Sequence, residues 1–440
     1  MNEIPNHERL EGLGELLPPL TRNEAAVEAA RCLMCYDAPC THACPTHIDI
    51  PKFIKKISTD NLRGSARAIL ESNLLGATCA RVCPVQELCE GACVLGAEHK
   101  PIAIGRLQRH AMDSISGKEM SVLRKASATG KKVAIIGAGP AGLSCAGELA
   151  KRGHSVTLFE KRDLAGGLST YGIIGLREPM DVAIAEANMI AGLGVTVETG
   201  RELGRNLTLA ELQANFGAVF LSVGLGATPG LGIPGEEHIL DGLEYIEHSK
   251  LDAANLKIGR HVVVIGAGNT AIDCATIAKR LGADTVTMVY RRTDKEMTAY
   301  AHEYDFIKRE GVGFRFLTQP VRVLRENGTV RALECVRMSL GRADASGRPS
   351  PQPVAASEFL LPADQIVKAI GQEKPALAAL CQLKTQKGFI QVDANFETNR
   401  PGVYSGGDCI RARGAASTVM AVQDGKLAAR SIHERLMANG

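Results

Sequence analysis

The stretch KKVAIIGAGPAGLSCAGELAKRGHSVTLFE, residues 131–160, decides the fold. Val133-Ala134-Ile135-Ile136 is a short apolar run that ends in glycine, as a buried parallel strand does. A helical run to about Arg152 follows, then a strand from His154 to Phe159 that ends at Glu160. Between strand and helix stands Gly137-Ala138-Gly139-Pro140-Ala141-Gly142. Gly137 permits the tight turn, Gly139 lets the backbone approach a pyrophosphate, and Gly142 lets helix and strand pack closely. The helix N-terminus offers free N–H groups and a positive dipole end to the phosphates. Glu160 stands where a carboxylate accepts hydrogen bonds from ribose hydroxyls. The expectation is a dinucleotide site on a βαβ unit, with Gly167 and Leu168 among its contacts.

About 130 residues later the pattern recurs. Val262-Val263-Val264-Ile265 leads into Gly266-Ala267-Gly268-Asn269-Thr270-Ala271, a helix to Leu281 and a strand Thr285 to Val289. Ala271 takes the place of the third glycine, which the fingerprint tolerates. The second strand ends in Tyr290-Arg291-Arg292 instead of an acid. Basic residues there suit a 2′-phosphate and hence NADP(H); the alternative is a pair of solvated or adenine-stacking arginines.

Further out, the chain has 440 residues, enough for two to four domains. With 51 basic and 48 acidic residues its net charge is +3. No basic run marks a nucleic-acid track or a polybasic membrane patch. No apolar run approaches the roughly 18 residues of a membrane span, and Met1 to Leu20 carries no secretory pattern. These features point to the cytoplasm, where dense cysteines read as metal ligands or redox groups rather than disulfides. There are 13 cysteines, and Cys32, Cys35, Cys40, Cys44, Cys79, Cys83, Cys89 and Cys93 fall in the first 93 residues. Thr21 and Glu24 make a capping-box signature for a helix leading into Cys32, and a second helix is expected from about Asn61 to Asn73. The Ser-, Lys- and Gly-rich stretch from Asp113 to Gly130 reads as a linker.

The cysteine spacing, x2-x4-x3-Pro and then x3-Pro-x4-x3, departs from the ferredoxin run but shares its closing Cys-Pro. Two zinc sites would satisfy the same residues. Iron–sulfur clusters suit the neighbouring nucleotide sites better. A hydride delivers two electrons together, a flavin passes them singly, and clusters accept one at a time. The other cysteines, Cys145, Cys274, Cys335, Cys381 and Cys409, are scattered and read as core residues.

Near the C-terminus Gly402-Val403-Tyr404-Ser405-Gly406-Gly407-Asp408, followed by a helix from Ala415 to Arg430, resembles the second flavin motif of glutathione-reductase-like flavoproteins. That resemblance makes Gly407 and Asp408 flavin contacts and the FAD domain discontinuous. The architecture it implies is multidomain. An N-terminal α-helical double iron–sulfur domain (1–115) and a linker (116–130) precede two Rossmann-like α/β domains. One binds FAD (131–257 and 375–440), and the other, NAD(P)-binding, is inserted into it (258–374).

Cys32-Leu33-Met34-Cys35, Ala38-Pro39-Cys40, Ala43-Cys44-Pro45-Thr46-His47-Ile48-Asp49-Ile50 and Pro101-Ile102-Ala103-Ile104-Gly105-Arg106-Leu107-Gln108 resemble dihydropyrimidine dehydrogenase. The likeness continues through both fingerprints, Ala363-Asp364 and Ala369-Ile370-Gly371-Gln372 to the GGD motif. The chain is similar to the electron-input subunit of the bacterial NAD-dependent enzyme, and the glutamate synthase small subunit shares the layout. The resemblance implies one 4Fe-4S cluster on Cys32, Cys35, Cys40 and Cys93. It implies a second on Cys44, Cys83, Cys89 and the side-chain oxygen of Gln108, with Cys79 a bystander. It also implies oxidation of NAD(P)H at FAD and transfer of electrons to an FMN- and iron–sulfur-containing catalytic subunit in a heterotetramer, where uracil or thymine is reduced. A TIM barrel for that chemistry takes about 250 residues, and every stretch here is already committed. No side-chain acid, base or nucleophile is required of this chain. The arginine pair points to NADPH, whereas the family association points to NADH. Met297-Thr298-Ala299 departs from the Met-Pro-Ala common in relatives.

Overall fold

The computed structural model describes residues 12–115, 123–344, 347–374, 376–411 and 417–438. Most of the expected linker's first half (116–122), residue 375 at a proposed boundary, and Ala415 and Ala416 at the start of the expected last helix lie outside these. By packing, the chain forms two units. One comprises Leu17–Thr170, Arg177–Gly226 and Lys374–Gly440; the other comprises Tyr171–Leu176, Ala227–Glu373 and the described residues up to Leu16.

The larger unit begins with short helices. Arg22–Ala30 starts at Thr21 with both hydrogen bonds of the capping box in place. Ile50–Ser58 and Leu62–Leu70 are capped by the side chains of Asp49 and Asn61. With Ile104–Asp113 they enclose a core of Phe53, Ile54, Ile69 and Leu107, each fully buried. Residues 123–130 run past the C-terminal end of the helix Pro140–Lys151: Ala126 N–H donates to Lys151 O and Thr129 N–H to Gly153 O.

A five-stranded parallel sheet follows, in the order Val403–Ser405, Ala218–Leu221, Lys132–Ile136, Ser155–Phe159 and Thr196–Glu198. The C-terminal strand thus joins the sheet that residues 132–221 begin. The helices Pro140–Lys151 and Thr418–Ala438 lie on one another at very short range. A Cβ on Gly425 would fall 2.1 Å from Ala141 O. Leu74, Leu75 and Cys79 belong to the same core as this sheet's Val133, Ile135 and Phe220. The cysteine-rich helices and the first sheet are therefore one packed body, although their sequence textures differ.

The other unit has a parallel sheet in the order Leu240–Asp241, Gln365–Lys368, His261–Ile265, Thr285–Val289 and Gly313–Arg315. An antiparallel sheet built on the long strand Thr329–Ala343 completes it. Leu240–Asp241 and the helix Gly242–Leu251, which Asp241 caps, precede the fingerprint strand. The longest segment of this unit runs from Ala227 to Glu373. A two-residue edge strand carries too little hydrophobic pattern to be seen in sequence. No helix among the described residues is long and apolar enough to cross a membrane.

Candidate cofactor sites

The first fingerprint turn has φ +95° at Gly137, where a Cβ would lie 2.5 Å from Ser222 O. A Cβ on Gly142 would meet Gly137 O at 1.9 Å. Gly139 is the N-cap of Pro140–Lys151, with Pro140 at the first helical position and Ala141 buried behind it. Space over Gly139 is open: an added Cβ would find only Gly167 Cα, at 3.9 Å. Gly167, at φ +59°, packs on Gly139, and the half-exposed Leu168 opens the next helix. Glu160 is buried at the strand end, its carboxylate accepting from Ala138 N–H at 2.7 Å and Arg162 N–H at 2.9 Å. Backbone donors thus fix its orientation beside the turn. The surroundings suit a dinucleotide: backbone without side chains at the phosphates and an oriented acceptor at the ribose.

The C-terminal turn faces the same helix. Gly407 has φ +80°, and a Cβ there would lie 3.0 Å from that of Ala141. The Asp408 carboxylate takes no hydrogen bond from any described side chain or backbone. Burial, then the charge of Asp424, pushes its pKa up, partly offset by Arg411. An acceptor in that situation fits a hydroxyl-rich ligand such as a flavin ribityl chain. Asp424, fully buried on Thr418–Ala438, organises the turn. It accepts from Gly407 N–H at 3.0 Å and Arg411 Nε at 2.9 Å, and pairs with the guanidinium a second time. Sequence reasoning missed it; the available signal was one acid amid the buried stripe Val419, Val422, Ala428 and Ile432.

At the second fingerprint Gly266 has φ +139°, with a Cβ position 2.2 Å from Ala369 O. Gly268 caps Asn269–Arg280, Thr270 is part-exposed, and Ala271 is buried without strain. Thr298 and Ala299 both donate their N–H to Ala267 O at 3.1 Å, and Asn269 Oδ1 accepts from Tyr300 N–H. The Met-Thr-Ala segment therefore lies over the loop. The two arginines separate. Arg292 is buried, its Nε donating to Pro349 O and its Nη2 pairing with Asp344 at 2.7 Å, so its role is structural. Arg291 is exposed. Of the pair, only Arg291 stands ready for a phosphate.

The N-terminal cysteines surround two recesses. Cys32, Cys35, Cys40 and Cys93 line one, with Leu33, Ile54 and Ile104 among its apolar walls. Cys44, Cys83, Cys89, Gln108 and Cys79 line the other, with Asn73 and Val419. Helix ends bring the sulfurs in. Cys44 and Cys83 are the C-caps of Pro39–Ala43 and Gly76–Val82, and Cys93 caps a 3-10 turn. Met34 and His47, at φ +53° and +54°, make the turns between cysteines. Gln108 donates Nε2–H to Gly76 O at 2.7 Å, while its Oε1 receives no hydrogen bond among the described residues. That leaves an oxygen donor beside three thiols.

Burial pushes the Cys40 thiol up to about 11. Donation of its S–H to Cys79, then burial, pushes Cys83 well up, and burial with the Glu90 charge raises Cys89. Such sulfurs become thiolates only against compensating positive charge, as iron supplies. Behind the second recess, buried Glu186 accepts from Ala77 N–H at 2.6 Å and Thr78 N–H at 3.0 Å. It ties the helix carrying Cys79 to Met180–Ala191. Arg81 and Arg109 both pair with Asp113, bracing that helix against Ile104–Asp113.

Residues 9–120 match the family model described as dihydropyrimidine dehydrogenase domain II, 4Fe-4S cluster. Residues 131–425 match pyridine nucleotide-disulphide oxidoreductase. Among curated relatives, the NADP(+)-dependent formate dehydrogenase subunit beta of Moorella thermoacetica is 38% identical over 91% of this chain, which spans 60% of that protein. The NAD-dependent dihydropyrimidine dehydrogenase subunit PreT of Escherichia coli K12 is 36% identical, covering 96% of this chain and 97% of its own length. The glutamate synthase [NADPH] small chain of the same strain is 33% identical, covering 95% and 93%. In fold, FprA from Mycobacterium tuberculosis matches with a TM-score of 0.57 at 18% identity, over 70% of this chain and 85% of that one.

Proposed function

Because this chain belongs to the pyridine nucleotide-disulphide oxidoreductase family and carries a 4Fe-4S domain of the dihydropyrimidine dehydrogenase type, we propose that it is an electron-input subunit. It oxidises NAD(P)H and hands electrons to a cytoplasmic partner that reduces uracil or thymine, the two forming a heterotetramer. Bound flavin would split a hydride's electron pair, and two clusters would relay single electrons. The chain's own work is positioning. Gly137, Gly139, Gly142, Gly167 and Glu160 would seat the FAD phosphates and ribose, and Asp408 the ribityl chain. The Gly266–Ala271 turn with Arg291 would seat the nicotinamide coenzyme. Cys32, Cys35, Cys40 and Cys93 would ligate one cluster, and Cys44, Cys83, Cys89 and Gln108 the other.

The observation that carries this reading is Val419. It lies in the first turn of the helix that Asp424 joins to the flavin turn, and it also lines the Cys44 recess. The Cys44 cluster would therefore take electrons from the flavin and the Cys32 cluster would pass them outward. A second reading, the small subunit of a glutamate synthase, has the 33% identity over 93% of that relative's length in its favour.

Anaerobically purified protein should hold one FAD and about eight irons per chain, and should reduce a dye with NAD(P)H. Absence of iron or flavin overturns the proposal. Paired with an FMN-barrel partner, it should reduce uracil; glutamate formation from glutamine with a large synthase subunit, and no uracil reduction, would favour the second reading. Arg291→Ala should raise KM for NADPH and leave that for NADH unchanged if NADPH is the coenzyme. An equal effect on both would remove Arg291 from the phosphate site.

A further inference from the structure

Lys426 sits two residues beyond Asp424 on Thr418–Ala438. Its Nζ donates to Thr46 O at 3.0 Å and Ser72 O at 2.9 Å. Thr46 is fully buried, and its hydroxyl lies 3.4 Å from Cys44 Sγ. Ser72 adjoins Asn73, which lines the Cys44 recess. One ammonium therefore grips two of the chain segments that border this recess. Its acceptors are neutral carbonyls, and among the described residues no carboxylate forms an ion pair with it. The carboxylate that bears on it electrostatically, Glu148, is already paired with Lys151 and Arg152. The charge is thus left to act on the recess. Gly425, between Asp424 and Lys426, lets the helix sit against Ala141 closely enough for both neighbours to reach their partners.

We infer that Lys426 is a positioning residue of the electron path: it clamps the Cys44 loop to the flavin-bearing helix and favours the reduced form of the cluster beside it. This rests on the proposed function. A reduced cluster carries one more negative charge than the oxidised one, so a nearby ammonium in a low-dielectric setting stabilises it. Removing the charge makes the cluster harder to reduce, whereas removing the clamp alone loosens the loop.

The test is an EPR-monitored redox titration of the intact, cofactor-loaded chain. The cluster concerned is identified as the one whose signal disappears in Cys44→Ser. In Lys426→Met and Lys426→Gln that cluster's reduced-to-oxidised ratio at a fixed potential should fall about tenfold, a shift of about 59 mV to lower potential for one electron. The other cluster and the flavin content should be unchanged, and Lys426→Arg should behave as wild type. Lys426→Gln keeps an N–H donor for a carbonyl, so it preserves the fold should the Met variant fail to load iron. Full iron and flavin with unshifted potentials in Lys426→Gln overturns the inference alone. Wild-type protein without any iron–sulfur signal overturns the underlying reading, and the inference with it.

Discussion

Cys79 and Gln108 line the same recess, yet sequence spacing by itself would have enlisted only the cysteine. The distinction rests on what each side chain already does. Cys79 packs in the core of the first sheet and hydrogen-bonds Cys83, whereas Gln108 turns its nitrogen to Gly76 O. Gln108→Ala should therefore lower bound iron from about eight to about four per chain, with Cys79→Ala retaining all of it; iron analysis after reconstitution checks this. Glu186 makes a second prediction. Burial pushes its carboxyl up from 4.5 to about 7. Between those values the unfolded chain has lost the proton and the folded chain keeps it, so stability falls as pH rises through this window and is flat above it. The whole effect is roughly 3 kcal/mol at 1.36 kcal/mol per pH unit. Glu186→Gln lacks this slope, so its Tm should gain on wild type between pH 5 and pH 7. Neither Glu186, Asp424 nor the burial of Arg292 was legible in the sequence, because each depends on a partner far along the chain: Thr78, Gly407 and Asp344.

Among the elements, the crossing of Pro140–Lys151 and Thr418–Ala438 does most to shape the proposed flavin site. A Cβ added at Gly425 would meet backbone, 2.1 Å from Ala141 O and 2.9 Å from Cys145 N, neither of which can swing aside. Gly147, on Pro140–Lys151, would place a Cβ 2.5 Å from Leu74 Cδ1, the end of a side chain with other rotamers. Gly425→Ala should thus cost about 1–3 kcal/mol, as overpacking does, and release flavin. Gly147→Ala should be milder, and thermal melts with flavin release compare the two. The βαβ elements and the capped helix Arg22–Ala30 were readable from local pattern, because strand, turn glycine and cap are set by neighbours in sequence. The edge strand Leu240–Asp241 was not, since two residues carry no periodicity.

At the scale of the whole molecule, the cysteine-rich segment and the first nucleotide sheet share a core through Leu74, Leu75 and Cys79. Leu74→Ala, at a side chain 1% exposed, should cost about 2–5 kcal/mol. It should lower the temperatures of iron loss and flavin release together; a shift in iron loss alone would mean the helices unfold independently. The sequence alone determined two glycine-rich βαβ turns and a dense N-terminal set of cysteines. Those are properties of residue type and short spacing, where steric rules for glycine and the period of apolar residues act within a few positions. Tertiary structure alone decided which cysteines share a recess, that Arg291 and not Arg292 is exposed, and that Asp424, Lys426 and Val419 link the flavin turn to the Cys44 recess. Such relations depend on contacts between residues as far apart as Thr46 and Lys426, which only the packed chain brings together.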